Sequence, residues 1–148
     1  MKKIFLGALC LLLCLGVSAK APVKIACVGN SITYGYTIEN RERDSYPAQL
    51  QRMLGEGYTV GNFGKSGATL LNKGHRPYMK QEEFQKALAF AGDIVVIHLG
   101  INDTDPRNWP DYRDFFVRDY LALIDSFRVV NPDVRILVAR MTPIADRH

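Results

Sequence analysis

Four short apolar runs, separated by stretches with helical periodicity, frame this chain. Residues 24–29 (KIACVG) are apolar and end in glycine, which predicts a buried strand. Tyr46, Leu50, Met53 and Leu54 then recur at helical spacing and give one apolar face. Asp44 or Ser45 can cap that helix, Pro47 suits its first turn and Gly55 ends it. Residues 58–63 read as a second strand. Phe84, Ala87, Leu88 and Ala91 mark a further helix closed by Gly92. Residues 94–99 (IVVIHL) are nearly continuous in apolar and β-branched types, as a parallel strand buried on both faces requires. Tyr112, Phe116, Tyr120, Leu123 and Phe127 trace a long helix, closed by Asn131-Pro132. Residues 134–139 (VRILVA) form a fourth strand. Strands alternating with helices predict an α/β domain whose parallel sheet is covered on both sides. The 24–29 strand is expected inside the sheet, flanked by the strands at 58–63 and 93–99. The chain has 148 residues, enough for one domain, and contains no repeat or linker.

The extreme N-terminus changes the picture of location. Lys2 and Lys3 precede an apolar run over residues 4–17, and Val17-Ser18-Ala19 supplies small residues for cleavage. This is the pattern of a signal peptide over residues 1–19, cut after Ala19, with a mature domain over 20–148. The run is shorter than the ~20 residues of a spanning helix. A secreted or periplasmic protein with no stable membrane span is expected. Lys+Arg number 19 and Asp+Glu 15, and removing the two leader lysines leaves 17 against 15. So small a surplus argues against a nucleic-acid partner. Of the three cysteines only Cys27 would remain, so no internal disulfide can form, and its apolar run predicts an inert buried thiol.

Candidate chemistry sits where open parallel sheets place their sites, beyond the carboxyl ends of the strands. Gly29-Asn30-Ser31 follows the first strand, residues 64–67 the second, and Gly100-Ile101-Asn102-Asp103 the third. A serine on a tight turn above the sheet can attack an acyl carbon, given a base to take its proton. The resulting oxyanion needs donors fixed beforehand, and the N–H groups of Ser31 and Gly64 with the Asn102 amide are candidates. GNSITYG (29–35), NFGKSG (62–67) and GIND (100–103) resemble three of the four signature blocks of the SGNH, or GDSL-like, hydrolases. The resemblance implies a flavodoxin-like three-layer α/β/α sandwich with Ser31 as nucleophile and Gly64 and Asn102 completing the oxyanion hole. It implies a serine esterase without cofactor or metal, and its extracytoplasmic acetylxylan esterase-like and sialate O-acetylesterase-like members point to O-acetyl groups on a glycan or small-molecule substrate. The alternatives are a lipase or lysophospholipase, or a carbohydrate-binding relic without catalysis.

Two positions depart from the family pattern. Asn30 stands where aspartate is common. The fourth block, Asp-x-x-His, is absent, so the chain is expected to be the N-terminal portion of its domain, lacking the last strand and helix. Three histidines remain. His98 lies in a buried strand and reads as a satisfied core histidine or one that supports the site from behind. His75 sits in a polar loop and reads as solvated. His148 stands beside Asp146 at the terminus, a poor place to hold a base. Simpler roles stay open for the site residues. Ser31 can merely cap a helix, Gly64 and Gly67 can be turn glycines, and Asn102 can bond its own loop. Asp103 reads as a structural acceptor. Trp109 and Arg107 can stack on a sugar or bind an acidic group, or can belong to a proline-stiffened loop with its aromatic packed down.

Overall fold

The computed structural model describes residues 20–141. The leader reading and the Asp146–His148 pair lie outside the described residues. Four parallel strands form one sheet: β1 (Val23–Gly29), β2 (Tyr58–Gly64), β3 (Ile94–His98) and β4 (Arg135–Val138), in the order β2-β1-β3-β4. β1 lies between β2 and β3, with Gly29 opposite both Gly64 and His98. The helices are α1 (Ser31–Tyr34), α2 (Arg41–Asp44), α3 (Tyr46–Leu54), α4 (Glu82–Phe90) and α5 (Phe116–Val130). No helix among the described residues is long and apolar enough to cross a membrane.

Side chains alternate across a strand, so each strand serves two layers. Ala26, Val28, Val95 and Ile97 share one face and pack with Phe84 and Ala87 of α4 and Leu123 and Phe127 of α5. Each such burial is worth about 1.5–3 kcal/mol for a large apolar side chain. Within this layer Phe84 ties α4 to α5 and to Tyr78 through edge-on contacts to Tyr78 and Phe127, with ring centroids 6.1 Å apart in both pairs. On the opposite face α1 and α3 cover β1. There Tyr46 Oη lies 3.2 Å from Thr33 Oγ1, above the buried Cys27. Burial pushes the Cys27 thiol up to about 11, so it is inert at neutral pH. This is the three-layer α/β/α arrangement expected from the sequence.

Local details differ from the sequence pattern. Met53 is 83% exposed. At 3.6 residues per turn the buried side of α3 centres near Leu54 and Pro47, and Met53 projects about 100° away. Ser45 holds the cap position of α3 but its side chain makes no capping bond, and Asp44 belongs to α2. α4 ends at Phe90, with Ala91 rather than Gly92 in the left-handed conformation (φ 50°). β3 is not buried on both faces: Val95 and Ile97 are fully buried, whereas Ile94, Val96 and His98 are half-buried. His98 is therefore no core residue. Continuous apolar composition did not reveal this, because α1 and α3 cover β1 and β2 on that face while Leu137 of β4 stays 47% exposed.

Candidate active site

Ser31 is the first residue of α1, directly after β1. Asn30 performs the capping: its Oδ1 accepts the Ile32 N–H at 3.0 Å. An amide oxygen does this as well as a carboxylate, so the cap is kept with asparagine at this position. Ser31 is thereby free of the capping role. It is half-buried, and neither its Oγ nor its N–H has a partner among the described residues.

Two glycines let α1 sit on the sheet end. A Cβ on Gly29 would strike Thr33 Oγ1 and lie 2.8 Å from the His98 carbonyl. A Cβ on Gly64 would overlap Tyr34 N and the Thr33 carbonyl carbon. The backbone of Gly29 is not left-handed. Space, not turn conformation, is what these positions require. Gly64→Ala should lower stability by about 1–3 kcal/mol, the usual cost of overpacking. Chemical denaturation checks this, and an unchanged midpoint would mean that α1 is loosely seated.

The direction of the β2 amides decides which can serve the site. Successive N–H groups of a strand point to opposite sides. Lys65 N–H donates inward to Gly29 O at 2.9 Å. Val60 and Gly64 point outward, to Gln51 Oε1 at 2.7 Å and Asn62 Oδ1 at 3.0 Å. The Gly64 amide, expected among the oxyanion donors, is thus engaged on the outer edge of the sheet. The next turn contains Gly67 at φ 76°, a conformation suited to glycine. Its N–H has no acceptor among the described residues.

Asn102 follows β3 in a 3₁₀ turn (Ile101–Thr104), entered through Gly100 at φ 121°. Its Nδ2 donates to Ala68 O at 2.8 Å, one residue from Gly67. A primary amide carries two N–H bonds, so one remains available. Asn108, fully buried, donates to Asn102 O at 2.9 Å and accepts the His75 N–H at 2.9 Å. Asn108 was not singled out in the sequence; an asparagine six residues past a loop motif carries no distinguishing signal. Ser31, the 65–68 turn and Asn102 therefore lie together beyond the carboxyl ends of β1, β2 and β3.

The other sequence candidates separate. Arg107 gives its fork to Asp105, with Nε–Oδ1 2.9 Å and Nη2–Oδ2 2.7 Å, and this pairing holds the Asp105 carboxyl well below the usual carboxylate range. Arg107 is thus not presented as a free anion receptor. Trp109 is 39% exposed and meets Phe116 edge-on at 6.2 Å, so part of its face stays open. His75 is exposed, with Nδ1 3.0 Å from Asn108 Nδ2. No histidine among the described residues is bonded to Ser31. No group of three potential metal ligands occurs among the described residues. A groove of about 740 Å³ runs along the outer edge of β2, past Tyr34, Arg41, Asn62 and Gly64. Ser31 and Asn102 do not line it.

Residues 27–148 match the GDSL-like Lipase/Acylhydrolase family. The chain is 50% identical over 106 residues to an acetylxylan esterase of Xylanibacter ruminicola, an alignment covering 72% of this chain and 22% of that protein. The chain thus spans about a fifth of that relative's length. A family two carbohydrate esterase from Clostridium thermocellum, solved in complex with cellohexaose, superposes with a TM-score of 0.62 at 24% identity, covering 82% of this chain and 44% of that one. AlinE4, an SGNH-hydrolase family esterase, superposes with a TM-score of 0.59 at 21% identity, covering 85% and 64%. At these identities the structural likeness concerns the fold.

Proposed function

The chain belongs to the GDSL-like lipase/acylhydrolase family, and from that premise we propose that the full-length protein is a secreted carbohydrate esterase that removes O-acetyl groups. One observation carries the chemistry. A serine with an unpartnered hydroxyl and N–H stands at the carboxyl end of β1, and beyond the same end of the adjacent β3 the Asn102 amide has one N–H to spare. The acetyl and carbohydrate parts draw on the 50% identity to the acetylxylan esterase. The leader pattern in residues 1–19 supports the secreted location.

In this reading Ser31 Oγ attacks the acyl carbon and its proton passes to a base. The carbonyl π pair moves onto oxygen, and the tetrahedral oxyanion receives N–H bonds from Ser31, Gly67 and Asn102. Collapse expels the sugar alkoxide, which takes the proton from the base. Water then repeats the attack on the acetyl-serine and releases acetate. Gly67 replaces Gly64 among the donors because the Gly64 N–H points outward to Asn62. Gly64 serves instead by letting α1 approach. No histidine among the described residues is bonded to Ser31, and because the chain spans about a fifth of the acetylxylan esterase's length the reading is of the whole protein. Trp109, with its open face, is the better candidate for sugar contact, since Arg107 is already paired with Asp105.

The test is hydrolysis of a chain-length series of nitrophenyl esters together with fluorophosphonate labelling of the full-length protein. Labelling at Ser31 with a preference for acetyl over longer acyl groups is expected. Preference for long chains would move the assignment to a lipase. Absence of both labelling and hydrolysis would leave a carbohydrate-binding relic.

A further inference from the structure

The 65–77 loop between β2 and the next 3₁₀ turn (Tyr78–Lys80) supplies both Gly67 and Ala68 to the site, yet little of it is regular structure. Four of its N–H groups are taken by side chains from the segment after β3. Leu70 and Leu71 donate to Asp103 Oδ2 and Oδ1 at 2.9 and 2.7 Å. Asn72 donates to Asp119 Oδ2 at 2.8 Å, and His75 to Asn108 Oδ1 at 2.9 Å. Asp103 is 1% exposed, and no lysine or arginine pairs with it among the described residues. Burying an unpaired carboxylate is costly unless hydrogen bonds satisfy it. Burial raises the Asp103 pKa above the ordinary carboxylate value, and the Leu71 and Leu70 N–H groups pull against that rise. Leu70 and Leu71 are themselves buried among the core residues, so packing alone would keep the loop near the sheet. A carboxylate at this point adds a fixed direction.

The neighbouring side chain shows what that direction is for. Asn102 and Asp103 are consecutive, and both grip the same short stretch. Asn102 donates to Ala68 O while Asp103 accepts from Leu70 and Leu71. One grip is donor to carbonyl, the other acceptor to N–H, so together they fix the loop against sliding and against rotation. The orientation of the Asn102 amide and of the Gly67 N–H follows from this closed set.

We propose that Asp103 is a positioning residue for ester hydrolysis: by clamping Leu70 and Leu71 it aligns the Asn102 and Gly67 donors on the reacting oxygen. The proposal rests on the esterase reading above. Asp103 touches no substrate. Its loss displaces donors rather than removing them, and misplacement of about 1 Å costs on the order of 10²-fold in rate.

The test uses the full-length protein and Asp103→Asn, which keeps one acceptor and presents an NH₂ to the second N–H. With nitrophenyl acetate, kcat should fall about 10²-fold while KM stays within about threefold, because alignment matters chiefly in the transition state. Amide hydrogen exchange at Leu70 and Leu71 should accelerate. In an Asn102→Ala background the same change should cost clearly less than in the wild type, since only the Gly67 donor is then left to misalign and residues acting as a unit are non-additive. Wild-type kcat in Asp103→Asn, or an undiminished loss in the Asn102→Ala background, would overturn the proposal. If Asp103→Asn does not fold, Asp103→Glu keeps both acceptors but shifts them by one methylene, and the same criteria apply. If the wild-type protein hydrolyses no ester, the esterase reading fails, while exchange at Leu70 and Leu71 still decides whether the clamp exists.

Discussion

Ser31→Ala in the full-length protein should abolish fluorophosphonate labelling and lower kcat by about 10⁶-fold, the scale of removing an activated serine nucleophile. The geometry makes this an unusually clean substitution. Ser31 Oγ bonds to no described residue, and the α1 cap belongs to Asn30. Removing the hydroxyl therefore leaves the fold alone, and stability should stay within about 0.5 kcal/mol, as for a substitution away from structural contacts. A capping serine would behave in the opposite way: its loss would cost about 1 kcal/mol and leave catalysis alone. The two measurements together separate the roles. A residual rate above water is expected, since prearranged donors act without the nucleophile. Persistent labelling in Ser31→Ala would place the reactive group elsewhere and end the assignment.

Where sequence reading succeeded and where it failed follows from how far each signal reaches. The four strands and the three longer helices were legible because each depends on its own periodicity. The β1–β3 neighbourhood followed from chain order and parallel topology. Met53 failed because helical spacing gives a face about 100° wide without fixing which edge of it meets the sheet. The expected burial of both faces of β3, including His98, failed for a related reason: apolar continuity tells that a strand is interior to the sheet, not that both of its faces are covered. The site was legible to the level of the turns but not of single amides. NFGKSG contains two glycines, and nothing in residue type tells that the Gly64 N–H is engaged by Asn62 while the Gly67 N–H has no acceptor among the described residues. The outward direction of the Gly64 N–H depends on strand alternation, fixed by Lys65 N–H bonding to Gly29 O. A Cβ at Gly64 would also overlap the backbone of Tyr34. Asp103 was read as a structural acceptor, and its two partners, 33 and 32 residues away, needed the fold to be seen.

Asn102 carries the second large effect. Asn102→Ala should reduce kcat by about 10²–10³-fold with little change in KM, the usual result of removing one oxyanion donor. The bond to Ala68 O is what makes the surviving N–H useful. It fixes the amide plane, so the second N–H does not have to be oriented during reaction. Asn102→Ala removes both N–H bonds and leaves the carbonyl of the fully buried Ala68 without its side-chain donor, which should also cost about 1–3 kcal/mol of stability. Asn102→Asp isolates the electronic part. It nearly preserves shape but replaces both donors with acceptors, which repel Ala68 O and the developing oxyanion alike. It should therefore be slower than Asn102→Ala despite its closer resemblance to asparagine. Asn102→Gln extends the amide by one methylene and should fall between wild type and alanine only if the loop can yield. Steady-state kinetics on one acetyl ester ranks the four proteins. The order wild type, alanine, aspartate is required by a donor role. A simple loop-bonding role predicts instead that the ranking follows thermal stability, with kcat largely unchanged in every variant that folds.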